Sequence, residues 1–338
     1  MTRISEIAKM TGYSISTVSR VLNNKGNFSD ETVRKIREVV NSLNYKPNNL
    51  QEKLLSNNFI IAIYFPQRDA FIDNNPYSSN DLLHLREVLE SYGNMVVLSA
   101  TSEKPDRSSM SFRMIDEKKI DGAVVCGPFV DDEIVETLIA HKIPYIVTNG
   151  IDLSKNWNYV DYNNFAAAAD MINYLCDLGH RDIGVLGGPM KHLVSMNRLE
   201  GCRQAFEKNG LKFDDRKFIP GPFSFDNGYN SARELLKNNK KITAVFAFDD
   251  IIACGAIKAF QEMGYRIPED ISIAGFDDIE LAKHSVPALT TVKRYKSDLY
   301  KLIAQLINDL ISYNIEKVNI IFKTELVTRD SCMEIKTR

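Results

Sequence analysis

The stretch ISEIAKMTGYSISTVSRVLNN, residues 4–24, determines the fold at the start of this 338-residue chain. Its first seven residues place apolar side chains at helical spacing, which predicts a short amphipathic helix. Gly12 suits the left-handed residue of a tight turn, and Ser14 is a good N-cap for a second helix. A third helix is predicted from after Ser29 to about Leu43, again from apolar periodicity. Two short helices around a glycine turn, closed by a third, form the helix-turn-helix pattern.

The outward face of the second helix carries short hydroxyl side chains around one arginine. Hydroxyls can approach phosphates without steric bulk and donate one hydrogen bond each. Arg20 can form a bidentate pair with O6 and N7 of guanine in the major groove. A solvated face of a small helical bundle is the alternative interpretation. The outward residues are Ile15, Ser16, Thr17, Ser19, Arg20 and Asn23.

The charge of the chain is unevenly distributed. Residues 1–58 contain nine Lys/Arg and five Asp/Glu, a net charge of +4, whereas the rest of the chain carries −6. A small basic head on an acidic body predicts that the head alone meets a polyanion.

Composition excludes several classes of protein. The chain has no run of about 18 apolar residues, so no membrane span is expected. Its first ten residues are too polar for a signal peptide. Five scattered cysteines with no CxxC spacing suggest neither a zinc site nor a disulfide framework, so a reducing cytoplasm is the expected location.

The segments STVSRVLN, residues 16–23, and LNYKPN, residues 43–48, resemble the DNA-binding head of the LacI/GalR family of bacterial repressors. The resemblance continues to Cys332. It implies that three residues of the second helix face base edges: Ile15, Ser16 and Arg20. Ile15 can offer only an apolar contact, such as one with a thymine methyl group. It implies phosphate or other DNA contacts from Ser14, Thr17, Ser19, Asn23 and Asn27.

Residues 48–56 follow Pro47 and are predicted to form a helix, but nine residues are too few for a helix to be stable alone in water. In the family this hinge segment is ordered only when two copies meet in the DNA minor groove, where a leucine wedges between base steps. Leu54 matches that leucine; the alternative is an ordinary linker in which Leu54 packs on the body. Gln51 and Glu52 depart from the small and basic residues usual there, so a weaker hinge–DNA contact is expected.

The body, residues 59–338, alternates apolar runs with amphipathic segments. This alternation predicts parallel sheets covered by helices on both faces. More than 250 residues is too much for one such sheet, so two similar lobes are expected. The predicted strands are 59–65, 95–100, 122–127, 144–149, 182–188, 244–248 and 271–276, and the predicted helices are 81–92, 131–141, 164–178, 198–209, 228–238, 250–263 and 296–313.

The resemblance adds a domain organisation to this pattern. It implies a small all-α helix-turn-helix head plus an α/β body of two parallel-sheet lobes, like periplasmic sugar-binding proteins with a ligand between the lobes. The expected domains are 1–47 for DNA binding, 48–58 for the hinge, and 59–338 for effector binding and dimerisation. Within the body, the first lobe comprises about 59–160 and 291–320, and the second about 161–290 and 321–338.

A ligand cleft is expected at the carboxyl ends of the strands, where polar residues follow apolar runs. A neutral sugar needs hydrogen-bond partners for its hydroxyls and an aromatic face for its C–H side. Four polar residues match family ligand contacts, and one aromatic falls where relatives place a stacking ring: Asn149, Arg198, Asp249, Asp277 and Phe223. An Asp after a strand is often only the N-cap of the next helix, and Asp250 and Asp278 are expected to do only that.

The predicted cleft departs from common relatives at three positions. Asp249 stands where many have Asn, Cys126 where some have a polar contact, and Met196 where Arg is common. The glycine-rich VLGGP has neither a GxGxxG nor a GxxxxGK[ST] pattern, and HExxH and GxSxG are also absent, so no enzyme is expected.

The sequence therefore predicts a cytoplasmic, homodimeric transcriptional regulator, a repressor of near-palindromic double-stranded operator DNA. A small-molecule effector, a sugar, is expected between the lobes, with no cofactor, no metal, no catalytic residues and no membrane partner. The alternatives are the same DNA-binding role with a nucleobase or protein co-effector, or a non-regulatory sugar-binding protein.

Overall fold

A computed structural model describes residues 4–22, 28–43, 58–66, 76–102 and 106–335. Within these ranges the chain forms a small all-α head and an α/β body with two parallel sheets, as the sequence predicts.

The head contains the three predicted helices, α1 (Ile4–Thr11), α2 (Ile15–Leu22) and α3 (Asp30–Ser42). Gly12 has φ +76° in the turn between α1 and α2, a conformation that costs glycine little. The hydroxyl of Ser14 accepts a hydrogen bond from the amide of Thr17 at 3.0 Å, so it caps α2. The buried core of the head is small and lies where the three helices meet: Ile7, Ala8, Val18, Val21 and Ile36.

Twelve strands and nine helices make up the described body. The strands are β1 (Ile60–Pro66), β2 (Met95–Thr101), β3 (Gly122–Cys126), β4 (Tyr145–Thr148), β5 (Tyr159–Tyr162), β6 (Ile183–Leu186), β7 (Phe218–Ile219), β8 (Ala244–Ala247), β9 (Ser272–Ala274), β10 (Thr291–Lys293), β11 (Asn319–Phe322) and β12 (Glu325–Val327). The α-helices are α4 (Pro76–Ser91), α5 (Met110–Asp116), α6 (Glu133–Ala140), α7 (Asn164–Asp177), α8 (Leu193–Lys208), α9 (Phe225–Asn238), α10 (Asp250–Glu262), α11 (Glu280–His284) and α12 (Lys296–Ile311).

Lobe 1 is built on a six-stranded parallel sheet with the order β11-β5-β4-β3-β1-β2. In its register Ile63 pairs with Leu98 on one side and Val124 on the other. One face packs against α4 and α12, and the other face packs against α5 and α6. Both faces are covered, which explains why its central strands read as continuous apolar runs.

Lobe 2 is built on a four-stranded parallel sheet with the order β7-β6-β8-β9. Its helices pack in two pairs, α7 with α8 and α9 with α10. The second pair approaches closely at Gly228 and Gly255, because a Cβ on either would lie 2.1 Å from a backbone carbonyl oxygen of the facing helix.

The chain passes between the lobes three times. It leaves the lobe 1 sheet after β5, returns through β10 to α12, and leaves again after β11. At this junction β10 and β12 pair as a two-stranded antiparallel ribbon. Three short connecting segments at one edge are the arrangement on which two lobes can close as rigid bodies.

The structure also contains elements that the sequence pattern does not predict. β5, β10, β11 and β12 have only three or four residues and lack long apolar runs; Asp161 even lies within β5. Tertiary pairing, not local pattern, makes them strands. The helix predicted from 198 begins five residues earlier, at Leu193, so Arg198 lies in the second turn of α8.

Candidate functional site

A cavity lies between the lobes, at the carboxyl ends of strands from both sheets. It encloses about 810 Å³ of space between the atoms, a figure that includes its opening to solvent. Lobe 1 contributes the ends of β3, β4 and β5, and lobe 2 contributes the residues after β8 and β9. Its lining residues include all five predicted effector-binding residues: Asn149, Arg198, Phe223, Asp249 and Asp277.

Asp277 is the charged centre of this cavity. Its Oδ1 lies 2.8 Å from Nη2 of Arg294 and 3.7 Å from Nη2 of Arg198. All three side chains are almost fully buried. A buried carboxylate between two guanidinium groups keeps its charge balanced within the protein.

Arg198 is held by more than this ion pair. Its Nε donates to Oδ1 of Asn164 at 3.0 Å, and its Nη1 donates to the carbonyl oxygen of Phe248. The guanidinium carbon stacks 3.6 Å from the ring centre of Phe276. Burial lowers the pKa of Arg198 to about 10, which leaves the side chain charged at neutral pH.

Asn149 belongs to lobe 1 and is also fixed in place. Its backbone N–H and that of Gly150 donate to the two carboxylate oxygens of Asp161, at 3.0 and 2.7 Å. Its side-chain Oδ1 accepts a hydrogen bond from Nη1 of Arg294 at 3.0 Å. Burial raises the pKa of Asp161, and the two backbone donors oppose that shift.

Asp249 lines the cavity and also caps a helix, so the two interpretations of this residue are compatible. Its Oδ1 accepts a hydrogen bond from the amide of Ile251 at 2.6 Å, at the start of α10. Burial, followed by the charge of Asp277, raises the pKa of Asp249 to about 7. Near neutral pH the side chain can therefore accept or donate a hydrogen bond.

The prediction that Asp250 and Asp278 only cap helices is wrong. Asp250 accepts hydrogen bonds from the hydroxyl of Thr291 at 2.6 Å and from the amide of Ile279 at 2.9 Å, which tie β10 to lobe 2. Asp278 pairs with Arg329. Both carboxylates bind residues outside the helix that each was expected to cap, because both lie close to the junction between the lobes.

Two of the non-glycine residues with positive φ line the cavity. Asn149 has φ +59°, and Asp277 has φ +118°, a region that residues with a Cβ rarely adopt. Strained residues of this kind cluster at ligand sites, where the surrounding structure holds them in place.

Phe223 contributes an aromatic ring from lobe 2. It is 7% exposed and packs against Gly188, where an added Cβ would lie 2.3 Å from the ring. Glycine at 188 is thus required for the ring to take this position beside the cavity.

Seven charged or polar residues that line the cavity were not identified from the sequence, and four of them show the reason. Arg294 follows the three-residue strand β10, and Lys296 pairs with Asp81 at 2.6 Å across 215 residues of sequence. Tyr162 ends β5. None of these four residues follows a long apolar run, so the sequence pattern that identified Asn149 and Asp277 does not identify them.

Two segments connect the lobes directly through hydrogen bonds. We call residues 127–130 of lobe 1 and 191–193 of lobe 2 the clasp. The amide of Val130 donates to the carbonyl of Lys191 at 2.8 Å, and the amide of Leu193 donates to the carbonyl of Pro128 at 3.2 Å. Ring nitrogen Nδ1 of His192 lies 3.2 Å from the carbonyl oxygen of Gly127.

The head presents the predicted face of α2 to solvent. Ile15 is 52% exposed, although isoleucine is usually buried, and Ser16 and Arg20 are exposed beside it. The hydroxyl of Ser14 lies 2.7 Å from that of Ser16 and 2.8 Å from that of Thr17. Ser19 lies in α2, whereas Asn23, Asn27, Leu54 and the predicted hinge helix lie outside the described residues.

The described residues show no sign of a metal site or of a membrane-spanning helix. They contain no cluster of three His, Cys, Asp or Glu side chains arranged to hold a metal ion. Among the described helices, none has both the length and the apolar character needed to cross a bilayer.

Comparisons with known proteins cover both parts of the chain. The family model for bacterial regulatory proteins, lacI family, matches residues 3–48, and the model for a periplasmic binding protein-like domain matches residues 172–332. HTH-type transcriptional regulator MalR of Clostridium butyricum is 32% identical over 338 residues, which cover 98% of this chain and 99% of that relative.

Two further similarities extend over nearly the whole chain. HTH-type transcriptional repressor PurR of Pasteurella multocida is 29% identical, with 98% of each chain covered. The solved structure of a transcriptional regulator CelR–cellobiose complex has a TM-score of 0.72 at 26% identity, covering 98% of this chain and 100% of that one.

Proposed function

The chain belongs to the LacI family of bacterial transcriptional regulators, and from that premise we propose that it is a homodimeric repressor controlled by a neutral sugar bound between its lobes. We assign residues 1–47 to DNA binding, 48–58 to a hinge, and the two-lobed body to effector binding and dimerisation. The proposed effector contacts are Asn149, Arg198, Phe223, Asp249 and Asp277.

The proposal for a neutral ligand rests on the balance of charges among the residues that line the cavity. The described lining residues hold three cations and four carboxyl groups: Arg198 and Arg294 share Asp277, Lys296 pairs with Asp81, and Asp161 and Asp249 supply the other two carboxyl groups. A phosphate or carboxylate would therefore meet no uncompensated positive charge there, and burying an unpaired charge is costly. Hydroxyls are a better match, because they can donate to carboxylates and accept from guanidinium groups.

The aromatic ring and the named complex of a relative agree with a sugar. Phe223 offers an apolar face beside hydrogen-bonding groups, the usual composition of a small-molecule site. One structural relative is described as a complex with cellobiose. Another relative is named PurR, so purine bases are the natural competitors in any test.

A thermal-shift screen of the purified full chain tests the effector class. We expect a neutral sugar to raise the Tm, because a ligand at 100 times its Kd stabilises the native state by about 2.7 kcal/mol. The phosphate ester of the same sugar is the matched control and should raise the Tm less. A shift produced only by sugar phosphates or only by purine bases would overturn the proposal.

Arg20→Ala tests the DNA-reading face. Selection from a random duplex pool should first recover an inverted repeat, because a two-fold dimer presents two heads. On that site, Arg20→Ala should weaken binding by about 1–3 kcal/mol if the arginine pairs with a guanine, and should affect unrelated DNA much less. The measurement is a pair of fluorescence titrations at one salt concentration.

Arg37→Ala is the matched control, since it removes the same charge from an exposed position on α3. Equal losses on selected and unrelated DNA for Arg20→Ala would assign Arg20 to a phosphate. Recovery of a single asymmetric half-site would contradict the dimer.

A further inference from the structure

Arg294 connects the two lobes through the cavity. It follows β10, where the chain passes from lobe 2 to lobe 1, and its side chain is 8% exposed. Nη1 donates to Oδ1 of Asn149 in lobe 1 at 3.0 Å, and Nη2 lies 2.8 Å from Oδ1 of Asp277 in lobe 2. One planar guanidinium group therefore fixes a predicted ligand contact from each lobe.

The same junction holds unused hydrogen-bonding capacity. Among the described residues, the buried polar atoms without a hydrogen-bond partner include Nε of Arg294 and the hydroxyl of Tyr162. Both residues line the cavity, and the guanidinium carbon of Arg294 lies 5.7 Å from the ring centre of Tyr162. Unsatisfied buried polar groups are costly, so a ligand that supplies partners would be favoured here.

We infer that Arg294 is a positioning residue for the effector: it sets Asn149 and Asp277 at a fixed separation, so that a ligand bearing neighbouring oxygens can engage both lobes at once. This inference rests on the proposed function for the identity of the ligand. A planar fork can hold two partners in fixed directions, whereas the point charge of lysine cannot. Preorganising both contacts lowers the ordering cost of binding.

The charges around Arg294 favour this position for its side chain. Burial alone would lower the pKa of Arg294, but the carboxylate of Asp277, followed by that of Asp81, outweighs burial and raises it. The guanidinium group is thus charged throughout the physiological range. Asp277 would keep only the longer contact to Arg198 if Arg294 were replaced.

Hydrogen exchange without added ligand tests the tether independently of the effector. The amides of Val130 and Leu193 in the clasp report lobe closure, because each bonds to the opposite lobe. We expect both amides to exchange about tenfold faster in Arg294→Met, and faster also in Arg294→Lys, which keeps the charge but loses the fork. Unchanged exchange in both variants would overturn the inference.

Arg329→Met is the matched control. Arg329 is also largely buried, but its partners Asp278 and the carbonyl of Leu289 both lie in lobe 2. Its replacement should leave clasp exchange close to the wild-type rate. Equal acceleration in the control variant would show general destabilisation and would overturn a specific role for Arg294.

A specificity measurement separates positioning from a merely structural role. The probes are glucose, galactose and ribose with their monodeoxy derivatives, titrated against the full chain. In the wild type we expect the deoxy derivative at the hydroxyl facing Asp277 to bind about tenfold more weakly than the parent sugar. In Arg294→Lys that ratio should fall toward one, whereas a structural role would weaken parent and derivative equally. If no sugar binds the wild type, the proposed function fails, and the exchange experiment still decides the role of Arg294.

Discussion

Asp277→Asn is expected to abolish the response of operator binding to the effector while DNA binding without effector stays near normal. The substitution leaves a side chain of the same shape but removes the charge shared by Arg198 and Arg294, so the free energy of unfolding should also fall. A bound hydroxyl would lose its charged acceptor, which costs about 1.5–3 kcal/mol. A loss of this size raises the Kd roughly 10–150-fold, so sugar at its wild-type working concentration leaves the site largely empty and DNA binding does not respond.

The measurement is an operator titration of each variant with and without the sugar identified in the screen. Asp278→Asn is the matched control: it removes the neighbouring carboxylate, which pairs with Arg329 and does not line the cavity. A wild-type response at wild-type sugar concentrations in Asp277→Asn would show that the effector binds elsewhere.

Arg198→Ala is expected to lower the free energy of unfolding by about 3–5 kcal/mol, in addition to any effect on the ligand. The truncation leaves the carbonyl of Phe248 and the amide oxygen of Asn164 without their donor and removes the group stacked on Phe276. Buried polar groups that lose a partner carry their full desolvation penalty. Urea unfolding, followed by circular dichroism, gives the value.

Arg203→Ala provides the control on the same helix. Arg203 pairs with Asp215 at 2.8 Å, but both side chains are well exposed, so its loss should cost less than about 1 kcal/mol. Similar stability of Arg198→Ala and the wild type would contradict the structural role given to Arg198. The result also bears on interpretation, because a lost effector response in Arg198→Ala alone would not distinguish a ligand contact from a damaged lobe.

The helices of the head and the central strands of the body could be predicted from the sequence, because local patterns specify them. In the head, helical spacing of apolar residues, Gly12 in the turn and Ser14 as a cap all specify the same structure, and the three helices form as predicted. In the body, continuous apolar runs such as 244–248 predicted strands that are buried on both faces. Local propensity and burial agree in these segments, so a one-dimensional pattern is sufficient.

The sequence by itself indicated this family, the two-sheet body and five residues that line one cavity. Asn149, Asp249 and Asp277 follow apolar strands, and polar residues at such positions converge where parallel strands end. Arg198 and Phe223 were identified from the resemblance to the family. Only the tertiary structure decided the partners of those residues. Arg294 lies 145 positions from Asn149, and Lys296 lies 215 from Asp81. A buried charge is tolerated only where such distant partners meet, and no local pattern records which segments those will be.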